Sequence, residues 1–180
     1  MAATLIFEDE SGFSMVSPLK RSWSRRGHTP VLRTSLNHHQ RMNLFGALLV
    51  QPDGKTIELA TRSYQHSLCG EQTIEFLKQL LRRVQGEIVL VWDNHSIHKR
   101  NIVKDFIATQ LRLHVYYFPT CAPELNPVEF VWTQVSEHTA GFAPHNMSEL
   151  VTRVRAGVAR TRASHQRLNA CLKGSELSWM

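Results

Sequence analysis

Three short segments of the sequence combine carboxylates with aromatic or apolar neighbours, and carboxylates can bind metal ions. They are residues 7–13 (FEDESGF), residues 91–98 (VWDNHSIH) and residues 123–132 (PELNPVEFVW). Converging carboxylates suit hard divalent cations such as magnesium and manganese, which prefer oxygen ligands. The chain also has 21 Lys and Arg residues against 15 Asp and Glu residues, and its net charge of +6 favours a polyanionic partner. These residues indicate metal-dependent chemistry on a polyanion.

Length and composition exclude several classes of protein. With 180 residues and 42% hydrophobic content, the chain suits one globular domain, and wholesale disorder is not expected. Cys69, Cys121 and Cys171 are widely spaced without a CxxC pair, which indicates reduced thiols and excludes a zinc knuckle. No apolar run approaches the roughly 18 residues of a membrane span, and the chain does not begin with a signal-peptide pattern. We expect a soluble intracellular protein with no membrane partner.

The first third of the chain has the pattern of an antiparallel meander. Strands are predicted at residues 4–7 and 42–50, with an irregular segment over residues 11–40 between them. The Asp-Gly pair after the second strand suits a hairpin turn, and residues 56–61 supply the third strand. Asp9 is expected to mark the end of the first strand.

The rest of the chain alternates between helical and strand patterns. The predicted elements are a helix that stops at Gly86, a strand at residues 88–92, a helix at 99–110, a strand at 113–118, a helix from Pro127 to about 139, a helix at 147–163 and a weakly patterned helical tail to 180. This order implies an α/β fold with a mixed sheet, antiparallel in its meander and parallel elsewhere. If the strands ending at Asp9 and Asp93 are parallel neighbours, both carboxylates emerge at one end of the sheet.

Taken together, these motifs resemble the DDE transposases of the mariner-like superfamily, in particular its bacterial insertion-sequence branch. The family pattern is Asp-Glu-Ser with an aromatic, then Asp-Asn with a following His, then Pro-Glu-Leu-Asn-Pro with an acidic residue before Trp. Residues 9–13 (DESGF), 92–98 (WDNHSIH) and 118–132 (FPTCAPELNPVEFVW) match it in order, and residues 23–27 (WSRRG) resemble its Trp-x-x-Arg-Gly stretch. The resemblance runs over residues 4–135 and implies a ribonuclease H-like fold and metal-dependent cleavage of DNA.

Carried over residue by residue, the resemblance implies that Asp9, Asp93 and Glu129 are the catalytic residues and the metal ligands. Thirty-five residues separate Asp93 from Glu129, one more than is usual in the family. The implied cofactors are two divalent cations, Mg²⁺ with Mn²⁺ as a substitute, which relieve charge on the phosphoryl group. Water would be the nucleophile for cleavage, and a DNA 3′-hydroxyl would be the nucleophile for joining.

Three other carboxylates compete for places in this triad. Glu124 is the rival for the third position, but it lies in a Pro-rich turn, whereas Glu129 lies on the helix that follows. Glu8 and Glu10 are rivals for the first position. In a strand their side chains point to the face opposite that of Asp9, which favours Asp9.

Several residues are predicted to contact nucleic acid, because Arg and aromatic side chains suit phosphates and base faces. The set is Trp23, Arg25, Arg26, Asn94, His98 and Arg100. The alternative for residues 23–26 is a solvated basic loop. Asn94 could instead orient Asp93 or a metal-bound water, or cap a turn, and His98 could instead hydrogen-bond near the site or serve a structural role. A zinc site at His95 and His98 is disfavoured because no cysteine or third histidine lies at ligand spacing. Trp92 and Trp132 are expected in the core.

The family resemblance also sets expectations for domains and partners. Residues 1–180 are predicted to be a single ribonuclease H-like catalytic domain, with a core at about 4–140 and C-terminal helices at about 147–180. Family members usually carry an N-terminal helix-turn-helix region, and no such pattern precedes Thr4. The implied partners are double-stranded DNA at transposon ends and target, a second copy in a homodimer on DNA, and a separate helix-turn-helix protein, all in the bacterial cytoplasm near the nucleoid. The alternatives are a domesticated or inactive DNA-binding domain and another ribonuclease H-like nuclease.

Overall fold

The structure, a computed structural model, describes residues 2–16, 23–29, Val31 and residues 40–177. Among these residues five strands form one sheet: β1 (Thr4–Ser14), β2 (Arg41–Val50), β3 (Ile57–Tyr64), β4 (Ile88–Trp92) and β5 (Leu113–Tyr117). Their order across the sheet is β3-β2-β1-β4-β5. The pairs β1–β2 and β2–β3 are antiparallel, whereas β4 is parallel to both β1 and β5. The predicted meander and mixed sheet are confirmed.

Helices cover both faces of this sheet. They are α1 (Gly70–Arg83), α2 (Asn101–Ala108), α3 (Pro127–Thr139), α4 (Met147–Arg162) and α5 (His165–Gly174), and a 3-10 turn (Pro123–Leu125) precedes α3. Side chains alternate along β1, so Ile6 packs in the apolar cluster with α1 and α2, and Phe7 packs in the cluster with α3, α4 and α5. The sheet is therefore the middle layer of three, and β1 presents residues to both outer layers.

β1 is longer than the sequence predicts, and the prediction that Asp9 marks its end is wrong. The ladder with β2 continues through Ser14, and Asp9 lies opposite Gly46 within it. Acidic residues are depleted in strands, but Glu8 and Asp9 are both buried here beside polar partners on opposite faces of the sheet. The parallel pairing of β1 with β4 stops at Phe7, so Asp9 still lies beside the end of β4.

Smaller differences occur at other element ends. α2 begins at Asn101 and not at 99, because the chain before it folds into turns closed by backbone hydrogen bonds from His98 to His95 and from Lys99 to Ser96. The weakly patterned tail contains α5, which ends at Gly174, and residues 178–180 of the predicted C-terminal helices lie outside the described residues. Within the part of the chain that the structure describes, no helix has the length and apolar character needed to cross a membrane.

Candidate active site

Asp9 is the candidate site residue contributed by the middle of β1. Its side chain points toward α3, where the indole Nε1–H of Trp132 donates a hydrogen bond to Asp9 Oδ2 over 2.9 Å. Burial, together with the charges of Glu129 and Glu10, raises the pKa of Asp9 to about 8. A carboxylate held at this cost is typical of a functional site, since charged groups are seldom buried together without a reason.

Asp93 follows β4 directly and stands at the open end of that strand. Its Oδ1 accepts a hydrogen bond of 2.8 Å from the backbone N–H of His95 and lies 3.3 Å from Nε2 of His98. Burial by itself would raise the pKa of Asp93, but the contact with His98 and the hydrogen bond from His95 lower it. Asp93 is therefore ionised at neutral pH and ready to bind a cation.

Glu129 lies in the first turn of α3, and Asn126 fixes where that helix begins. The Asn126 side chain caps α3 by accepting from the Val128 backbone N–H over 3.1 Å. Its Nδ2 donates to the Glu8 backbone carbonyl over 3.0 Å, which ties the start of α3 to β1 next to Asp9. Burial and the charge of Asp93 raise the pKa of Glu129. Asn126 thus sets the position of one carboxylate relative to another.

The structure brings the three predicted catalytic carboxylates to one cavity of about 290 Å³. Asp9, Asp93 and Glu129 line it, together with Asn94, Asn126 and the chain segment 118–123. Glu124 is exposed and is not among the described residues that line this cavity. Three mutually repelling carboxylates around an open cavity fit the donor set that hard divalent cations prefer.

A second acidic cluster lies on the other face of β1. Glu8 is 1% exposed and His98 is 0% exposed, and the imidazole Nε2 lies 3.7 Å from Glu8 and 3.2 Å from Glu10. The ring of His98 stacks on Trp92 with centroids 4.0 Å apart. Burial by itself would lower the pKa of His98, but its contacts with Asp93 and Glu10 and the charge of Glu8 raise it to about 10. His98 is therefore a buried cation shared by three carboxylates.

This cluster was not identified from the sequence, although a signal for it exists. Glu8 and Glu10 lie on the same face of β1 as Ile6, and Ile6 packs in the apolar cluster with α1 and α2. Two carboxylates on a buried face require a positive partner, because an uncompensated buried charge is very costly. One ligand atom from each of Glu8, Glu10 and His98 lies within 4.8 Å of the others, a spacing that could also hold a metal ion. Since the carboxylates already converge on Nε2, the imidazolium occupies the centre of the cluster.

The residues predicted to contact nucleic acid lie in different surroundings. Trp23 is 100% exposed, and Arg25 and Arg26 lie on an exposed turn that the His28 N–H closes by donating to the Arg25 carbonyl. Gly27 adopts a φ of 85° in this turn, a conformation that favours glycine. Lys20 and Arg21, which precede this basic segment, lie outside the described residues.

The other three members of that set are near the carboxylates but are not equally accessible. Arg100 is exposed immediately before α2. Asn94 lines the cavity, but its Nδ2 donates to the Phe118 carbonyl over 2.8 Å and holds two cavity walls together. His98 is fully buried, so in this structure it does not reach nucleic acid, and its contacts assign it to positioning Asp93.

Replacing Asp9 by Asn is expected to stabilise the protein in the absence of metal. Asn keeps an acceptor for Trp132 but removes one of the repelling charges. The pKa of Asp9 rises from its usual range near 3.9 to about 8 on folding, so the stability it contributes is complete below about pH 4 and is lost as pH rises through 8. Urea unfolding in EDTA at pH 5 and pH 8 measures the free energy of unfolding of the wild type and of the variant.

We expect the gain from Asp9→Asn to be larger at pH 8 than at pH 5, and on the order of a few kcal/mol at the higher pH. The matched control is Asp105→Asn, which changes an exposed carboxylate on α2. It should leave the free energy of unfolding nearly unchanged at both pH 5 and pH 8. A loss of stability in the Asp9 variant at pH 8 would contradict the repulsion argument.

Comparison with known proteins adds independent findings. The sequence model of one family, described as DDE superfamily endonuclease, matches residues 4–150. The mariner Mos1 paired end complex with Mg matches at 14% identity and a TM-score of 0.60, covering 98% of this chain and 56% of the Mos1 chain. The Mos1 strand transfer complex matches at 15% identity and a TM-score of 0.58, with 98% and 56% covered. A comparison with curated proteins finds no match.

A structure other than those of Mos1 also matches this chain, with lower similarity. A chain of the simian T-cell lymphotropic virus intasome matches at 9% identity and a TM-score of 0.52, covering 86% of this chain and 46% of that one. These likenesses confirm the predicted ribonuclease H-like fold. The chain spans about half the length of the solved chains in these complexes.

Proposed function

Because the chain belongs to the DDE superfamily of endonucleases, we propose that it is the catalytic domain of a transposase that cleaves DNA and transfers strands at transposon ends. The observation that carries this proposal is the convergence of Asp9, Asp93 and Glu129 on one cavity from β1, the end of β4 and α3. The three residues are also those that match the acidic positions of the family pattern. We take residues 1–180 as one catalytic domain.

Membership of this family implies a divalent cation, and the carboxylates around the cavity fit one. We propose that Asp9, Asp93 and Glu129 hold two such ions, Mg²⁺ or Mn²⁺; the Mos1 paired end complex is known with each of these metals. When bound, the ions would supply charge stabilisation to the attacking and leaving oxygens of the phosphodiester.

The chain's own residues prepare the site for this chemistry. His98 and the His95 backbone N–H hold Asp93 in one orientation and keep it ionised. Asn126 fixes the distance from α3 to β1, and Asn94 fixes the cavity wall at Phe118. A site whose ligands are held in advance loses less conformational freedom when substrate binds.

DNA is the polyanion that we propose for the basic surface. Trp23, Arg25, Arg26 and Arg100 are exposed and available for phosphates and bases. We further propose action as a homodimer on paired DNA ends, with end recognition supplied by a helix-turn-helix region or partner outside these residues, in a bacterial cytoplasm. Support for paired ends comes from Mos1, which has been solved in a paired-end complex.

Nicking of supercoiled plasmid in Mg²⁺ or Mn²⁺ tests the activity and the third carboxylate together. Glu129→Gln is expected to reduce the nicking rate by about a hundredfold or more, because it removes one charge from the cation site. The matched control is Glu124→Gln, five residues earlier, which should retain activity because Glu124 is not among the described residues that line the cavity.

The outcomes of this assay separate the rival functions. Loss of nicking in Glu124→Gln but not in Glu129→Gln would move the third carboxylate to the Pro-rich turn. A folded protein that binds DNA equally well with and without metal and never nicks it would favour an inactive DNA-binding domain. Nicking without strand-transfer products on transposon-end substrates would favour another ribonuclease H-like nuclease.

A further inference from the structure

Trp132 makes a polar contact inside the apolar layer between α3 and the sheet. The residue is 4% exposed, and its indole Nε1–H donates to Asp9 Oδ2, which belongs to a residue that is itself 8% exposed. The two residues are 123 positions apart in the sequence. A buried site excludes water that would compete for this hydrogen bond. The contact therefore restricts the orientation of the Asp9 carboxylate.

Gly46 creates the space in which this indole lies. It stands opposite Asp9 in the β1–β2 ladder. A Cβ at position 46 would meet Trp132 Cζ2 at 2.5 Å and Cη2 at 2.6 Å, distances at which the indole would have to move. The indole thus lies directly against the backbone of β2, and only a residue without a side chain permits that approach. The cross-strand pair of Asp9 and Gly46 therefore supplies both the acceptor carboxylate and the space for the Trp132 indole that donates to it.

We propose that Trp132 is a positioning residue that orients the Asp9 carboxylate for divalent-cation binding, and that Gly46 is required because the indole lies across it. The inference rests on the proposed function of Asp9 as a metal ligand. The hydrogen bond engages Oδ2 of Asp9 and thereby limits rotation of the whole carboxylate that would hold a cation. Glu129 lies three residues before Trp132 on α3, so one helix supplies a carboxylate to the site and orients another.

A tryptophan that serves packing alone would behave differently. Phe13 packs edge-on against Trp132 with ring centroids 6.4 Å apart, and both belong to the apolar cluster of α3, α4 and α5. Removing part of that packing lowers stability without altering the direction of the Asp9 carboxylate. Removing the indole donor alters the carboxylate even where packing is largely kept, as in Trp132→Phe. The two roles therefore separate when cation affinity and stability are measured on the same variants.

The first experiment observes the hydrogen bond directly by NMR of the indole N–H groups. The chain has four tryptophans, and Trp132→Phe identifies which resonance belongs to Trp132. We expect Asp9→Asn to move this resonance, because an amide oxygen replaces the carboxyl oxygen as the acceptor, and Mg²⁺ to move it in the wild-type protein. A Trp132 resonance that is unchanged in Asp9→Asn would overturn the proposal. This readout uses a variant with an intact indole and needs no enzymatic activity.

The second experiment measures cation affinity from the Mg²⁺ dependence of the melting temperature. Trp132→Phe is expected to weaken Mg²⁺ binding about tenfold, since a hydrogen bond to a charged group is lost. Phe13→Leu is the packing control and should lower the melting temperature while leaving the Mg²⁺ affinity unchanged. Equal Mg²⁺ affinity in Trp132→Phe and the wild type would overturn the proposal.

Gly46→Ala completes a double-mutant cycle. Alone, it should weaken Mg²⁺ binding about as much as Trp132→Phe, because the added methyl displaces the indole. In the Trp132→Phe background it should cause little further loss, since the donor is already absent. Additive losses in the double variant would overturn the role of Gly46. A wild-type protein that binds no Mg²⁺ would overturn the metal site itself, and the Asp9→Asn resonance would still report on the hydrogen bond.

Discussion

Asp93→Asn is expected to lower the rate of metal-dependent plasmid nicking by about a thousandfold while the protein stays folded. Asp93 directly follows β4 and lines the cavity together with the other two carboxylates. Burial and neighbouring charges raise the pKa of Asp9 and Glu129, whereas the contacts of Asp93 with His98 and the His95 backbone lower its pKa. It is therefore the carboxylate of the three whose surroundings favour its charged form.

The asparagine side chain is chosen so that the variant tests charge and not shape. Its Oδ1 can still accept the hydrogen bond from the His95 backbone N–H, so the turn after β4 is preserved. His98 keeps its contact with Glu10 at 3.2 Å and remains buried. The variant should therefore melt cooperatively, like the wild type, but show a much smaller rise in melting temperature on addition of Mn²⁺.

Two results would contradict this expectation. Nicking at the wild-type rate in Asp93→Asn would exclude Asp93 from the catalytic site. An unfolded variant would indicate that Asp93 is needed for folding. Asp93→Glu would then distinguish a structural from a catalytic role, because it keeps the charge but lengthens the side chain. Nicking that remains absent in a folded Asp93→Glu protein would support a geometric requirement at the cation site.

His98→Ala is expected to destabilise the protein by about 3–5 kcal/mol, because it removes the cation shared by buried carboxylates. Glu8 is fully enclosed, and His98 Nε2 lies within 3.7 Å of it. For a chain of this length, such a loss lowers the melting temperature by roughly 6–20 °C. The matched control is His95→Ala in the same motif, because His95 is exposed and its removal should change the melting temperature little.

The pH dependence of the His98 contribution has a defined sign. The pKa of His98 is raised to about 10 in the folded protein, from its usual range near 6.5. The stability it contributes is therefore complete below about pH 6.5 and is lost as pH rises through about 10. The difference in unfolding free energy between wild type and His98→Ala should shrink accordingly between pH 7 and pH 10.5.

A compensating variant shows whether charge causes the loss. Burial and the charge of Glu10 raise the pKa of Glu8, and the charge of His98 opposes that rise, so Glu8 is a poorly solvated acid once His98 is gone; Glu8→Gln in the His98→Ala background should therefore restore part of the lost stability. If the double variant is less stable than His98→Ala alone, the loss comes from the stacking of His98 on Trp92 and not from its charge.

Local patterns in the sequence were sufficient for most of the framework. The continuous apolar run at 88–92 and Pro127 at a helix start each depend on neighbours within a few residues, and β4 and α3 have those bounds. The same holds for the hairpin between β2 and β3, where Asp53 accepts backbone hydrogen bonds from Lys55 and Thr56. The family resemblance then selects Asp9, Asp93 and Glu129 from motif order as the candidate catalytic residues.

The tertiary structure decided how those carboxylates are held, because the partners are distant in sequence. The bond from Trp132 to Asp9 and the bond from Asn126 to Glu8 each span more than a hundred residues, and no local pattern encodes them. The sequence therefore predicts Trp132 only as a core residue, and it leaves His98 open between a hydrogen bond near the site, a phosphate contact and a structural role. β1 was predicted too short for the same reason: acidic residues end a strand by propensity, but here partners on both faces of the sheet bury them and the strand continues. Sequence thus determined which groups are candidates for the site, and packing between β1, the loop after β4 and α3 determined how these groups are oriented and how their pKa values shift.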